Sequence, residues 1–152
     1  MMSSLDYFEG ILRCPVCGEL SLGGSTNMQT KLSKHPSLRE IVVGDLLDAD
    51  WCEVCSAGYF EIAKPKQLDT ITILETWVCP SCKSPFNWAK IEIVNGKVEL
   101  IESVKLSAKI IQSANYITED CCFLLDAPDQ PDLKGNSLVK QLVKLTEESQ
   151  EP

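Results

Sequence analysis

Six of the eight cysteines in this chain stand in three Cys-x-x-Cys pairs: Cys14-Pro15-Val16-Cys17, Cys52-Glu53-Val54-Cys55 and Cys79-Pro80-Ser81-Cys82. Two residues between thiols make a tight turn that aims both sulfurs at one point, while backbone N–H groups of the turn hydrogen-bond the thiolates. Two such turns complete a tetrahedral S₄ site suited to zinc or iron. This pattern constrains the fold more than any other feature, because at 152 residues the chain forms one ordinary domain or two small ones. A metal module of that size has too little core to fold without its ion. The expectation is a structural zinc, with iron as the alternative, and Cys14, Cys17, Cys52, Cys55, Cys79 and Cys82 are the candidate ligands.

An even cysteine count also permits disulfides, so the compartment matters. No run of about eighteen apolar residues is present to span a bilayer, and Met1 to Glu9 has neither the basic start nor the apolar core of an export signal. These features place the protein inside the cell, in the cytoplasm, where a reducing environment keeps thiols available for metal. Charge narrows the partners. The net charge of −8 divides into −4 over residues 1–60, +1 over 61–110 and −5 over 111–152. Nucleic-acid affinity scales with the lysines and arginines that displace counterions, so such a role is confined to the middle segment with Lys64, Lys66, Lys83, Lys90 and Lys97. A solvated face is the simpler reading of these lysines, and a protein partner is favoured over nucleic acid.

Between the second and third knuckles, Tyr59-Phe60-Glu61-Ile62-Ala63 and Thr70 to Trp77 are rich in β-branched and aromatic residues and are separated by Lys64-Pro65-Lys66-Gln67-Leu68-Asp69. Strand, turn and strand is the economical assignment. After the third knuckle, Trp88 to Val94 meets Asn95-Gly96 and continues from Lys97 to Leu106. Asn-Gly between such runs signals a hairpin, because both turn residues tolerate positive φ. Ser33 with Pro36 could start a helix through Leu38, Ile41, Val42 and Leu46, and Ile41-Val42-Val43-Gly44 reads equally as strand. Asp126 to Asp132, with two prolines and three acids, is a linker. Asn136 or Ser137 then caps an amphipathic helix from Leu138 to about Glu148, with Leu138, Leu142 and Leu145 in one stripe.

The expected architecture is α+β and mainly β: an N-terminal segment with the first knuckle (1–50), a ribbon-like module with its hairpin (51–125), an acidic linker (126–136), and a C-terminal helix and tail (137–152). The second and third knuckles, with twenty-three residues between them, resemble a zinc ribbon, and Cys14-Pro15-Val16-Cys17-Gly18 looks like a first zinc-ribbon knuckle. Trp77-Val78-Cys79-Pro80-Ser81-Cys82 is also similar to the second knuckle of rubredoxins, where a tryptophan and a Cys-Pro-x-Cys turn enclose one iron. The resemblance covers residues 51 to about 88 and implies a small β metal module. It departs from rubredoxin at Cys55-Ser56-Ala57-Gly58-Tyr59, where Cys-Gly-Tyr is usual.

Pairing of the knuckles stays open at this level. The expected site is Cys52, Cys55, Cys79 and Cys82, because these two knuckles bracket an evident ribbon. The first knuckle could instead pair with Cys52 and Cys55 across thirty-four residues, or form a second site with Cys121 and Cys122. Those adjacent cysteines read more simply as buried small hydrophobes beside Phe123-Leu124-Leu125. His35, the single histidine, reads as an exposed loop residue rather than the fourth ligand of a Cys₃His site. The three tryptophans Trp51, Trp77 and Trp88 flank the later knuckles and are expected to cover the metal rather than stack on bases.

Nothing in the sequence forms a catalytic set. A catalytic zinc keeps an open position and recruits histidine or carboxylate ligands, whereas these knuckles saturate an ion with sulfur. A deaminase reading fails, since Val78 precedes Cys79 and no His-x-Glu element lies upstream. The function expected is therefore a non-enzymatic structural-zinc ribbon acting as a protein-interaction adaptor or accessory subunit. A rubredoxin-like iron electron carrier and a nucleic-acid-binding zinc ribbon are the alternatives.

Overall fold

A computed structural model describes residues 6–21, 26, 28–30, 39–47, 59–62, 70–84, 87–118 and 144. Its centre is a five-stranded sheet made of β6 (Tyr59–Glu61), β7 (Thr70–Trp77), β8 (Asn87–Val94), β9 (Lys97–Val104) and β10 (Tyr116–Thr118), in the order β6-β10-β7-β8-β9. The Asn95-Gly96 hairpin forms as its sequence dictates. Asn95 and Gly96 take φ of 49° and 80°, the turn brings Val94 opposite Lys97, and β8 pairs in turn with β7 from Thr70↔Val94 to Trp77↔Asn87. The hairpin thus extends the sheet that leads into the third knuckle.

One expected pairing is corrected. The stretches 59–63 and 70–77 both contain strands, but they are not neighbours, because β10 lies between β6 and β7, antiparallel to the first and parallel to the second. The interposition has a local cause. After β9 the chain turns at Ser107, whose side chain caps helix α1 (Ala108–Ser113) by accepting from the Ile110 N–H at 3.3 Å. This short helix returns the chain alongside β7, where Asn115 donates its backbone N–H to the Thr72 carbonyl and accepts from the Thr72 N–H through Oδ1, both at 2.8 Å.

Of the eight residues in β7 only Thr70 is exposed, so both faces of the sheet are covered. Ile71, Ile73 and Trp77 of β7 join Ala89, Ile91 and Ile93 of β8 and Val98 and Ile101 of β9 in one core. Val98 and Ile101 stand three apart and still face the same way, because a bulge at Glu92/Ile93 resets the alternation along β9. Phe8, Leu12, Met28, Ile41 and Leu47 complete this core from the N-terminal part of the chain.

That N-terminal part forms a small layer of its own. β1 (Asp6–Phe8) lies between β4 (Gln29–Thr30), antiparallel, and β5 (Glu40–Ile41), parallel, while β2 (Leu12–Arg13) and β3 (Leu20–Ser21) form a short hairpin. Of the stretch that reads as helix or strand, Glu40–Ile41 is strand and Val43-Gly44 is a turn, while residues 33–38 lie outside the described residues. The layer also covers the edge of β9, which would otherwise present free backbone groups. Gly44 N–H donates to the Val98 carbonyl at 2.8 Å, Val98 N–H to the Asp45 carbonyl at 2.9 Å, and the Ser103 hydroxyl to the Arg13 carbonyl at 2.9 Å. Gly10 lies so close to this strand that a Cβ there would sit 2.7 Å from Ile101 Cγ2. The linker at 126–136 and the helix expected over 138–148 lie outside the described residues, apart from Lys144, which is helical.

Candidate metal centre

Two hairpins carry the two knuckles that meet. The first knuckle joins β2 to β3, above the pair Arg13↔Leu20, and the third joins β7 to β8, above Trp77↔Asn87. Their backbones fold alike. Gly18 N–H donates to the Cys14 carbonyl at 3.0 Å and Lys83 N–H to the Cys79 carbonyl at 2.9 Å, while Cys14 N–H bonds the Glu19 carbonyl and Cys79 N–H the Ser84 carbonyl at 2.9 and 3.1 Å. The residue after each second cysteine takes positive φ, 77° at Gly18 and 64° at Lys83. That left-handed residue lets the chain curl around the sulfurs.

The sulfurs of Cys14, Cys17, Cys79 and Cys82 all lie within 4.8 Å of one another. Cys14 Sγ is 3.7 Å from Cys82 Sγ, and Cys17 Sγ is 3.7 Å from Cys79 Sγ. A metal bound to four thiolates at about 2.3 Å has sulfurs about 3.8 Å apart, whereas a disulfide brings two sulfurs to about 2.05 Å. The four cysteines are free thiols at the spacing of a tetrahedral ion. Each knuckle buries its first cysteine and exposes its second: Cys14 is 1% and Cys79 2% exposed, while Cys17 and Cys82 reach the surface.

Protons and hydrogen bonds at the site agree with a cation. Burial pushes the Cys14 thiol up, but the N–H groups of Cys17 and Val16 and the Ser84 hydroxyl outweigh it and hold the thiol down to about 6. For Cys17 the Glu19 backbone pulls downward, yet burial and the three neighbouring sulfurs push it up to about 12. Cys82 is lowered, chiefly by Ser84. Hydrogen bonds thus favour the thiolate at Cys14 and Cys82, crowding of the sulfurs opposes it at Cys17, and a cation among the four would relieve that opposition.

A supporting shell lies just behind. Ser84 Oγ is 3.5 Å from Cys14 Sγ and 3.2 Å from Cys82 Sγ, and the buried Asn87 donates through Nδ2 to Ser84 Oγ at 3.1 Å and to the Ser84 carbonyl at 3.0 Å. With Cys82 as a thiol its sulfur donates to Ser84 Oγ, whose own proton faces Asn87 Oδ1 at 3.5 Å; once the sulfur is a thiolate the hydroxyl can turn and donate to it. Sequence reasoning missed both residues, although the spacing Cys82-Lys83-Ser84 carries the signal. Trp77 is fully buried with Nε1 donating to the Trp88 carbonyl at 3.3 Å, and belongs to the same core as Cys14 and Cys79.

The pairing is a correction to the expected ribbon. The third knuckle meets the first rather than the second, because β7 and β8 pack against the layer that carries β2 and β3, while β10 separates β7 from the strand that follows the second knuckle. Cys52, Cys55, Cys121, Cys122, His35 and Trp51 lie outside the described residues. Among the described residues, no helix is long and apolar enough to cross a membrane. Set against protein-family models, curated proteins and solved structures, the chain matches none, and the reading of its chemistry rests on the four-sulfur geometry.

Proposed function

We propose that this chain is a non-enzymatic, structural-zinc protein that acts inside the cell as a protein-interaction adaptor or accessory subunit. The observation that carries the reading is the convergence of four sulfurs from Cys14, Cys17, Cys79 and Cys82, which saturates a tetrahedral ion and leaves no position for substrate. Zinc suits such a site because it has no redox chemistry and no geometric demand beyond the tetrahedron. The surface supports an interaction role. Ile11, Val16 and Leu20, 64%, 69% and 44% exposed, stand on and beside the first knuckle, where a rigid metal-held turn presents them to a partner.

Native mass spectrometry with elemental analysis on the full chain tests both parts. The expected result is zinc bound at the four-cysteine site and lost in Cys79→Ser, together with a stoichiometric protein partner that Val16→Asp releases without loss of zinc. Zinc content and thermal stability unchanged in Cys79→Ser would refute the assignment. A measured turnover with no partner would refute the role.

The second reading is a rubredoxin-like iron carrier, favoured by the exposure of Cys17 and Cys82 and by the N–H groups of Val16 and Cys17 directed at Cys14 Sγ at 3.3 and 3.5 Å. Ferric S₄ sites absorb visible light and zinc sites do not, so the colour of the purified protein decides. A nucleic-acid role has the net charge of −8 against it.

A further inference from the structure

Beside the four-sulfur cluster lies a cavity of about 580 Å³, bounded by the first knuckle, the start of β8 and the end of β9. Its walls include Pro15, Trp88, Val104 and Leu106, which are apolar, and Arg13 and Lys105, which are cationic; among the described residues no acid lines it. In a chain of net charge −8, a hollow whose ionised side chains are an arginine and a lysine is a local reversal of sign. Cys14 contributes to the wall but is 1% exposed, its sulfur turned toward Cys82 and Ser84.

Arg13 is held in place from two directions. Its Nη1 donates to the Gly18 carbonyl at 2.8 Å, and its own carbonyl accepts from the Ser103 hydroxyl at 2.9 Å. One N–H of the guanidinium is thereby committed to the knuckle, and the rest of the fork remains for a ligand. Among the described residues neither Arg13 nor Lys105 has an acidic partner. A planar guanidinium anchored in this way is suited to a carboxylate or phosphate, and a second cation in the same lining adds charge without restricting the ligand's shape. The volume falls within the range of small-molecule sites, roughly 300–1,000 Å³.

We propose that this cavity binds a small organic anion, a carboxylate or phosphate carried on a flat apolar body, with Arg13 and Lys105 holding the anion and Trp88, Val104 and Leu106 covering the body. The site adjoins the four-sulfur cluster and shares the Cys14 wall with it, and Gly18 couples the two: the knuckle that positions Cys14 and Cys17 also positions the Arg13 guanidinium.

The test is an amide-resolved NMR titration of the metal-loaded full chain with phenyl phosphate and, separately, benzoate. Inorganic phosphate and benzyl alcohol serve as the two halves of the ligand. Saturable shifts at Arg13, Trp88 and Lys105 are expected for at least one aryl anion with Kd at or below about 1 mM, with each half-ligand about tenfold weaker or more. The tighter of the two aryl anions identifies the headgroup. R13Q/K105Q should weaken binding about tenfold or more, and K105Q alone, which leaves the Arg13–Gly18 hydrogen bond intact, should weaken it severalfold. Absence of saturable shifts with both aryl anions overturns the proposal, as does inorganic phosphate binding as tightly as phenyl phosphate. Affinity unchanged in K105Q also overturns it, whatever the double variant does to the fold. Elemental analysis of each sample reports the metal reading independently.

Discussion

The matched knuckles make a paired prediction at Gly18 and Lys83. Both residues take positive φ, both donate N–H to the carbonyl of the first cysteine of their knuckle, and they differ in that one is glycine and the other is not. A Cβ added at Gly18 would meet nothing within 4 Å, so Gly18→Ala introduces no clash and its effect is confined to the backbone. Holding an L-residue in the left-handed region costs roughly 1–2 kcal/mol, and the loss of glycine's freedom in the unfolded chain offsets about 0.4–1 kcal/mol of it. Gly18→Ala should therefore destabilise by about 1 kcal/mol, and Lys83→Gly should stabilise by a similar or smaller amount. For a chain of this length 1 kcal/mol moves the melting temperature by roughly 2–4 °C. Where folding of the knuckles is coupled to metal, the same strain weakens metal affinity by about fivefold. Thermal unfolding of the metal-loaded protein and chelator competition read the two quantities. Shifts of the same sign in the two variants, or a Gly18→Ala protein as stable as the parent, would refute the equivalence of the knuckles.

Three further outcomes follow from the same geometry. Ser84→Ala removes a hydrogen-bond partner of Cys14 and Cys82 and leaves the Asn87 amide its bond to the residue 84 carbonyl, and should weaken metal binding by about tenfold in chelator competition with little change in stoichiometry. Gly96→Val places a β-branched side chain at φ of 80° with its Cβ 3.3 Å from the Leu47 carbonyl oxygen, and should destabilise by more than about 1 kcal/mol in denaturant unfolding. Metal affinity should rise with pH, because each bound thiolate must first lose its proton. The Cys17 thiol, near 12, is protonated at neutral pH in the free protein, so metal binding at pH 7 should release at least its proton, seen as buffer-dependent heat. Below about pH 6 Cys14 is protonated as well in the free protein, so metal affinity should fall more steeply there.

Local signals in the sequence carried a good part of this fold. Asn95-Gly96 specifies its own hairpin, since the turn needs two residues at positive φ and the strands on either side alternate toward the core. The β-branched run at 70–77 is a strand whatever surrounds it. What could not be read is which strands are neighbours. β10 reaches β7 by way of a six-residue helix that Ser107 starts, and neither the helix nor a three-residue strand has enough period to announce itself. The knuckles posed the same difficulty, because a Cys-x-x-Cys turn fixes how its two sulfurs point and leaves unstated which other turn it meets. That choice belongs to the packing of Phe8, Leu12 and Ile41 on Ile73, Ile91 and Ile101, which is a property of the whole core.

The separation between the two knuckles in the chain has a consequence for how the protein is made. Cys14 and Cys82 are 68 residues apart, and Cys17 and Cys79 are 62 apart. At about 5–20 residues per second, a ribosome adds that interval in roughly 3–14 s. Through that time the first pair of thiols has been synthesised and its partner pair has not. The N-terminal layer waits as well, since the strands it packs on, β7 to β9, come afterwards. The four-sulfur site thus closes only after that interval and joins one hairpin made first to another made later. Any ion that takes the first knuckle alone in the interval, at half its coordination, must be tolerated or exchanged before Cys79 and Cys82 arrive.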